Sequence, residues 1–119
     1  EAVPGMSCMF DTGNFLYSEE DALKAFEELE PWVCHGIHCK DRTWEKHSGE
    51  EPKTTIQGRE MYACAVGSGC LPIKEILTRL WEKGFSGSFT IEHFGAMDQL
   101  ACIRESARWL LALESAVLG

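Results

Sequence analysis

Three short apolar runs, each followed by an amphipathic stretch, constrain the fold of this chain more than any other feature. In the stretches, apolar residues recur every three or four positions, which is typical of helices that pack on one side. Strands that alternate with helices form parallel sheets, because each helix returns the chain to the edge where the next strand starts. The pattern therefore predicts an α/β fold with parallel strands, in one domain of three strand-helix units at about residues 6–30, 33–83 and 88–115.

Three parallel strands leave two sheet edges and one sheet face uncovered, which is a liability for a protein in water. The 119 residues show no fourth unit that would cover them. We therefore expect the chain to self-associate or to pair with a missing part of a larger domain. Between residue 40 and about residue 70 the sequence is polar and contains several glycines, and we predict a long loop there that is functional or mobile.

The composition argues against several classes of partner. The net charge is −8 and lysine and arginine are not clustered, so we expect no binding to nucleic acid or to an anionic membrane surface. No apolar run reaches the roughly 18 residues of a membrane span. Residues 1–5 do not resemble a signal peptide, and we expect a processed chain or a piece of a longer one. The six cysteines, several within apolar segments, indicate reduced thiols and a cytoplasmic location.

Each predicted strand ends on a side chain that can bind a metal ion, namely Asp11, His38 and Glu92. Functional residues of parallel α/β sheets gather at the carboxyl ends of the strands, so these side chains should lie close together. Alternation along the strands places them opposite the apolar, helix-facing residues. Two carboxylates and an imidazole suit Mn²⁺, Mg²⁺, Co²⁺ or Zn²⁺. Such a site can polarise a sugar carbonyl while a carboxylate removes the neighbouring proton, which gives an enediolate.

Two other binding sites are compatible with the sequence. A structural zinc ion held by Cys34, Cys39, Cys64 and Cys70 is one, although the spacing within each pair is not the usual one for zinc. The other is the segment 67–69, Gly-Ser-Gly, which precedes a predicted helix. Its backbone amides can be offered to a phosphate, or the segment can be a plain turn.

Four segments at the ends of predicted elements carry a family resemblance: Asp11-Thr12-Gly13-Asn14, His38-Cys39-Lys40-Asp41, Val66-Gly67-Ser68-Gly69 and Ile91-Glu92-His93. Together they resemble the xylose isomerase-like TIM-barrel superfamily, and within it the sugar phosphate isomerases and epimerases. The resemblance covers nearly the whole chain and implies the last three units of a (β/α)8 barrel, hence an incomplete barrel. It also implies that Asp11, His38 and Glu92 are the last three of four metal ligands, and that Glu92 is a catalytic acid or base.

The sequence departs from the family pattern in two places. The first metal ligand of the family, a Glu on the preceding strand, has no counterpart here. Epimerases often carry a His three residues after the Asp ligand, where this chain has Asn14, which we expect to bind a substrate hydroxyl. We expect Lys40 and Arg42 to contact a sugar hydroxyl or phosphate.

The resemblance implies a divalent-metal-dependent isomerase or epimerase of a sugar or sugar phosphate. We expect activity from a complete barrel and none from the isolated chain. Because one ligand is missing, the alternative hypothesis is a non-catalytic metal- or sugar-binding remnant of such a barrel. A nuclease similar to endonuclease IV is a third hypothesis, which the acidic charge and the absence of that family's additional histidines oppose.

Overall fold

A computed structural model describes residues 3–46, 50–93 and 95–119. It contains six strands and three α-helices in these ranges, together with short 3-10 helices at Asn14–Ser18 and Glu30–Trp32. The strands are β1 (Cys8–Asp11), β2 (Val33–Cys39), β3 (Asp41–Thr43), β4 (Lys53–Thr54), β5 (Glu60–Cys64) and β6 (Ser88–Ile91). The helices are α1 (Ala22–Leu29), α2 (Ile73–Glu82) and α3 (Gln99–Leu118).

Strands β1, β2 and β6 form a parallel sheet in that order. Helix α1 connects the first pair and α2 precedes β6, so the predicted alternation of strands and helices is present. The register pairs Asp11 with His38 and His38 with Thr90. The carboxyl ends of the three strands therefore lie side by side at one edge of the sheet.

The helices cover one face of this sheet and leave the other open among the described residues. On the covered face, Phe10 and Ile37 are 1% and 0% exposed and pack with Phe26 of α1 and Leu77 of α2. On the opposite face, Met9 is 52% exposed. Three further residues of that face are also exposed: Cys34, Ser88 and Thr90. In a closed barrel this open face would be the interior.

The prediction of a long structureless loop after residue 40 was wrong. Strands β3, β5 and β4 form a second sheet there, antiparallel and in that order. The apolar run from Met61 to Val66 is buried throughout. Removing these side chains from water stabilises the second sheet. This run contains no glycine or proline, and it was the feature of the sequence that indicated a strand there.

Helix α3 begins after Asp98, whose carboxylate accepts a hydrogen bond of 2.9 Å from the Ala101 amide. The spacing of Leu100, Ile103 and Leu111 places them on one apolar side of α3, and they are 57%, 41% and 63% exposed. The helix instead buries Ser106 and Leu113. Periodicity identified an apolar side of α3 correctly but could not show whether this chain covers it. None of the described helices, α3 included, combines the length and the apolar character needed to cross a membrane.

Candidate metal centre

The parallel sheet brings the three predicted ligands together at its carboxyl edge. Asp11 is the last residue of β1, His38 lies one residue before the end of β2, and Glu92 follows β6 directly. The Glu92 amide donates a hydrogen bond of 3.1 Å to the Cys39 carbonyl, which continues the strand pairing to the site. One donor atom from each of the three side chains lies within 4.8 Å of the other two.

The donor set of this cluster, which we call the ligand cluster, fits a divalent cation. His38 Nδ1 is 3.8 Å from Asp11 Oδ2 and 3.5 Å from Glu92 Oε2. Bonds of about 2.1 Å to one ion would place neighbouring donors roughly 3.0 to 3.4 Å apart, so small side-chain movements suffice. The exposed fractions of the side chains, 9% for Asp11, 35% for His38 and 28% for Glu92, leave the cluster open on the uncovered side.

Lys40 extends its ammonium group into the ligand cluster. Its Nζ is 3.2 Å from Asp11 Oδ2 and 3.2 Å from Glu92 Oε2, and it donates a hydrogen bond of 3.3 Å to Asn14 Oδ1. The Lys40 side chain is only 8% exposed, so these charge contacts are weakly screened. Lys40 therefore links the two carboxylates to the predicted substrate residue Asn14.

The segment after β1 leaves space for the Lys40 side chain and holds its backbone in place. A Cβ atom at Gly13 would stand 2.9 Å from the side-chain carbons of Lys40, which is too close for a real side chain. Thr12, fully buried, fixes the backbone of Lys40 from both sides. Its hydroxyl donates to the Lys40 carbonyl at 2.7 Å and accepts from the Lys40 amide at 2.9 Å. Thr12 and Gly13 thus explain why Lys40 reaches the cluster.

The sequence model of the xylose isomerase-like TIM barrel family matches residues 1–113 of the chain. The chain belongs to this family. It also superposes on the crystal structure of a xylose isomerase domain protein from Planctomyces limnophilus, with a TM-score of 0.75 and 25% sequence identity. The match covers 98% of this chain but 40% of that chain, so this chain spans less than half of that relative's length. No curated protein gives a significant sequence match.

These findings confirm the resemblance and the fold class. The described residues form an α/β part of a xylose isomerase-like TIM barrel, with a parallel sheet that does not close. Members of this family are generally enzymes.

Lys40 also controls the ionisation of Glu92 in this xylose isomerase-like site. Partial burial raises the pKa of the Glu92 carboxyl, but the hydrogen bond and the charge of Lys40 lower it more, with a further lowering from His38. The net result is a pKa below the ordinary value of glutamate. Glu92 is therefore a carboxylate at neutral pH, which is the form needed to bind a metal ion or to accept a proton.

Asp41 lies three residues after His38 and has a different role. Its Oδ1 accepts hydrogen bonds from the amides of Arg42 and Leu71, at 2.9 and 3.3 Å. Its Oδ2 accepts from the amides of Gly67 and Gly69, both at 3.0 Å. Burial raises the pKa of Asp41, and these four amides lower it only in part. The Gly-Ser-Gly segment is thus a turn held by Asp41, and its two glycine amides are already bonded.

Arg42, predicted to contact substrate, lies outside the ligand cluster. The residue is 1% exposed, and its Nε and Nη1 atoms have no hydrogen-bond partner among the described residues. Its charge adds to the effect of burial, which is the larger cause, in lowering the pKa of His93. The buried guanidinium is therefore directed into the protein near His93, not towards the open side of the site.

Sequence reasoning did not identify Ser106, which connects three parts of the molecule. Its hydroxyl donates to the Cys102 carbonyl at 2.7 Å and accepts from the Val66 amide at 2.9 Å. The same hydroxyl lies within hydrogen-bond distance, 2.8 Å, of His93 Nε2. This bond fixes the backbone just after Glu92. The available signal was the helical spacing of Ser106 from Trp109 and Leu113, which pack in the core.

The structure gives no support to the zinc site of four cysteines. All six cysteines are free, and Cys34 lies exposed on the open face while Cys39, further along the same strand, is buried. Among the described residues, the cluster of Asp11, His38 and Glu92 is the group whose donor atoms converge as metal binding requires.

Proposed function

We propose that this chain is the C-terminal part of a divalent-metal-dependent isomerase or epimerase of sugars. The observation that carries the proposal is the convergence of two carboxylates and one imidazole at the carboxyl edge of the sheet, in a chain of the xylose isomerase-like family. The carboxyl ends of the strands are where TIM-barrel enzymes place their active sites. Asp11, His38 and Glu92 are the proposed metal ligands.

A divalent cation in this cluster, Mn²⁺, Mg²⁺, Co²⁺ or Zn²⁺, supplies a Lewis acid that polarises a carbonyl and its neighbouring hydroxyl. Glu92, held ionised by Lys40, would accept the proton from the carbon next to the carbonyl, and returning that proton from the same face to the adjacent carbon would complete an isomerisation through an enediolate. An epimerisation would need a second acid on the opposite face, which the part of the barrel outside this chain would supply. Asn14 and Lys40 bind substrate oxygens and fix the sugar for this transfer.

The proposal includes a partner that completes the barrel, either the missing N-terminal part or further copies of the chain. Two features of the structure support it. The sheet face that carries the ligand cluster is open, and an apolar groove lies between α3 and β6. The groove is lined mainly by Trp81, Phe89, Ile91, Ala107, Leu110 and Leu111. Burying these side chains against another strand-helix unit would be favourable. The six free cysteines are consistent with a cytoplasmic location.

Solvent-proton exchange tests this function directly. The chain is combined with the partner that completes its barrel and is incubated with Mn²⁺ and a panel of aldoses and ketoses in deuterated water, and NMR follows deuterium uptake at the carbon next to the carbonyl. We expect uptake by the wild type and a loss of roughly 10³-fold or more in Glu92→Gln, since a positioned base contributes about 10² to 10⁴-fold.

The matched control is Glu28→Gln, on the exposed side of α1, which should exchange as the wild type does. Binding of Mn²⁺ is measured on the same samples by electron paramagnetic resonance. Bound Mn²⁺ without exchange at any sugar would reject the enzyme and favour a metal-binding remnant. Equal exchange by Glu92→Gln and the wild type would reject the role of Glu92.

A further inference from the structure

We propose that Lys40 is a built-in competitor of the metal ion, because its ammonium group holds the place in the ligand cluster that a divalent ion must take over. The proposal rests on the function proposed above and adds a control of metal binding at the same site. It is carried by the contacts of Lys40 with the two carboxylates and by the fixed position of the inner part of its side chain.

Lys40 contacts the same oxygen atoms that a metal ion would use. Asp11 Oδ1 accepts two backbone amides, at 2.8 and 3.1 Å, which leaves Oδ2 to face the cluster. Lys40 Nζ lies 3.2 Å from Asp11 Oδ2 and 3.2 Å from Glu92 Oε2. The same two oxygens approach His38 Nδ1, at 3.8 and 3.5 Å. The donor atoms that converge for an ion therefore already hold a cation.

Lys40 can compete with a metal ion but cannot join its ligands. An ammonium group has three hydrogen-bond donors and no acceptor lone pair. The carboxylates of Asp11 and Glu92 carry two negative charges, of which Lys40 balances one, whereas a divalent ion balances both. Since the Lys40 side chain is 8% exposed, the solvent would screen little of the repulsion between an ion and the ammonium. The charges therefore favour exchange of one cation for the other.

The inner part of the Lys40 side chain is fixed by the segment after β1. The Thr12 hydroxyl holds the Lys40 backbone through hydrogen bonds of 2.7 and 2.9 Å. Gly13 lies against the side chain, since a Cβ atom there would stand 2.9 Å from Lys40 Cγ and 2.9 Å from Cδ. Displacement of the ammonium therefore needs rotation about the outer bonds of the side chain only.

Asn14 provides a place for the displaced ammonium. Its Oδ1 accepts a hydrogen bond of 3.3 Å from Lys40 Nζ, and Asn14 is not one of the converging metal ligands. A turn towards Asn14 keeps an acceptor for Lys40 while the carboxylate oxygens bind the ion. Because Asn14 is a proposed substrate residue, binding of the ion would also direct Lys40 to a substrate oxygen.

The opposite role for Lys40 predicts the opposite effect on metal binding. If Lys40 only orients the two carboxylates for the ion, its removal would loosen them and weaken the binding of metal. If Lys40 competes with the ion, its removal would strengthen the binding of metal. The sign of the change in affinity therefore decides between the two roles.

The test measures Mn²⁺ affinity in Lys40→Met, which keeps the length of the side chain and removes its charge. The chain is combined with the partner that completes its barrel, and electron paramagnetic resonance follows a titration with Mn²⁺ at neutral pH. We expect the dissociation constant to fall at least about tenfold, because the variant has neither the repulsion nor the ion pairs that the metal must break. An equal or higher dissociation constant would overturn the inference.

Two further variants separate the charge at this position from other effects. Lys40→Arg keeps the charge and should not share the gain in affinity. Lys24→Met, on the exposed side of α1, removes the same charge from the surface and should bind Mn²⁺ as the wild type does. A gain in Lys24→Met as large as that in Lys40→Met would assign the effect to net charge and would also overturn the inference.

The stability of the protein gives a second readout that needs no turnover. Without Lys40, the carboxylates of Asp11 and Glu92 would repel each other until an ion binds. Mn²⁺ should therefore raise the midpoint of thermal unfolding more in Lys40→Met than in the wild type, and an equal or smaller rise would contradict competition. Stronger Mn²⁺ binding without sugar exchange would support the inference and reject the enzyme. Absence of Mn²⁺ binding in both proteins would reject the inference together with the metal-dependent function.

Discussion

Asp11 and Asp41 are two aspartates near strand ends on the same side of the sheet, and only one of them belongs to the ligand cluster. Asp41 uses both carboxylate oxygens to accept four backbone amides. Asp11 accepts the amides of Gly13 and Asn14 with Oδ1, at 2.8 and 3.1 Å, and leaves Oδ2 to Lys40 and His38. A carboxylate becomes available for chemistry when the backbone satisfies one of its oxygens and orients the other.

The pKa shifts of Asp41 and Glu92 extend this comparison. Burial raises the pKa of both carboxyls. For Asp41 the four amides offset burial only in part, and its pKa stays raised. For Glu92 the ammonium of Lys40 and the imidazole of His38 more than offset burial, and its pKa is lowered. Asp41 is 1% exposed and the Glu92 side chain is 28% exposed, so burial opposes ionisation more strongly at Asp41. At Glu92 the smaller effect of burial is outweighed by Lys40 and His38.

The largest effect that we predict comes from Asp41→Asn. The substituted side chain turns an NH₂ group towards one pair of amides, so two N–H groups lose their acceptor, at least one of which is only part-buried. Because the cost of each lies towards the lower end of roughly 1 to 3 kcal/mol, the free energy of unfolding should fall by about 2 to 4 kcal/mol. Urea denaturation followed by circular dichroism measures it.

The matched variant is Asp11→Asn, whose remaining carbonyl oxygen can still accept the Gly13 and Asn14 amides. We expect its free energy of unfolding to fall by less than that of Asp41→Asn, because Lys40 keeps its contacts with Glu92 and Asn14. If Asp11→Asn were as destabilising as Asp41→Asn, the distinction between a structural and a ligand-binding aspartate would be wrong.

The second predicted effect is on metal affinity. Here Asp11→Asn should lose more than Asp41→Asn, which is the opposite of their order in stability. Asp11→Asn removes the charged oxygen that faces His38 and Lys40. Loss of groups that only support ligands commonly costs 10- to 100-fold in metal affinity, and loss of a ligand should cost at least about 100-fold. Titration with Mn²⁺ under electron paramagnetic resonance gives the dissociation constant. Unchanged affinity in Asp11→Asn would remove Asp11 from the proposed ligand set.

The sequence was sufficient to predict the parallel units and the convergence of Asp11, His38 and Glu92, because both follow from strand order and two-residue alternation. It could not show that Lys40 enters the cluster, since that depends on the packing of Thr12 and Gly13 from another strand. The roles of Asp41 and Ser106 likewise arise from contacts more than 25 residues apart in the chain, such as Ser106 with Val66. Local patterns do not encode such contacts.

The second sheet and the exposed side of α3 were missed for different reasons. The apolar run from Met61 to Val66 was present in the sequence but was outweighed by the glycines and polar residues around it. For α3, the spacing of Leu100, Ile103 and Leu111 gave the correct apolar side, whereas its exposure depends on which other segment covers it. Only the first of these errors could have been avoided from the sequence.

The smallest effect that we predict is the pH dependence of the stability provided by Glu92. Its folded-state pKa is lowered by Lys40, whereas the unfolded chain has the ordinary value of about 4.3. The stabilisation is therefore fully present above about pH 4.3 and is lost as the pH falls through the folded-state pKa. Since Glu92 is 28% exposed, we expect at most about 1 kcal/mol.

The measurement is the difference in unfolding free energy between the wild type and Glu92→Gln, in metal-free buffer from pH 7 down to pH 3. The difference should favour the wild type at neutral pH and shrink below about pH 4.3. Glu28→Gln, which lacks a cationic partner in the described contacts, should show little pH dependence. A difference that grows on acidification would mean that burial, not Lys40, dominates at Glu92. The pKa of Glu92 would then be raised by burial, as that of Asp41 is, and the proposed difference between the two carboxyls would be wrong.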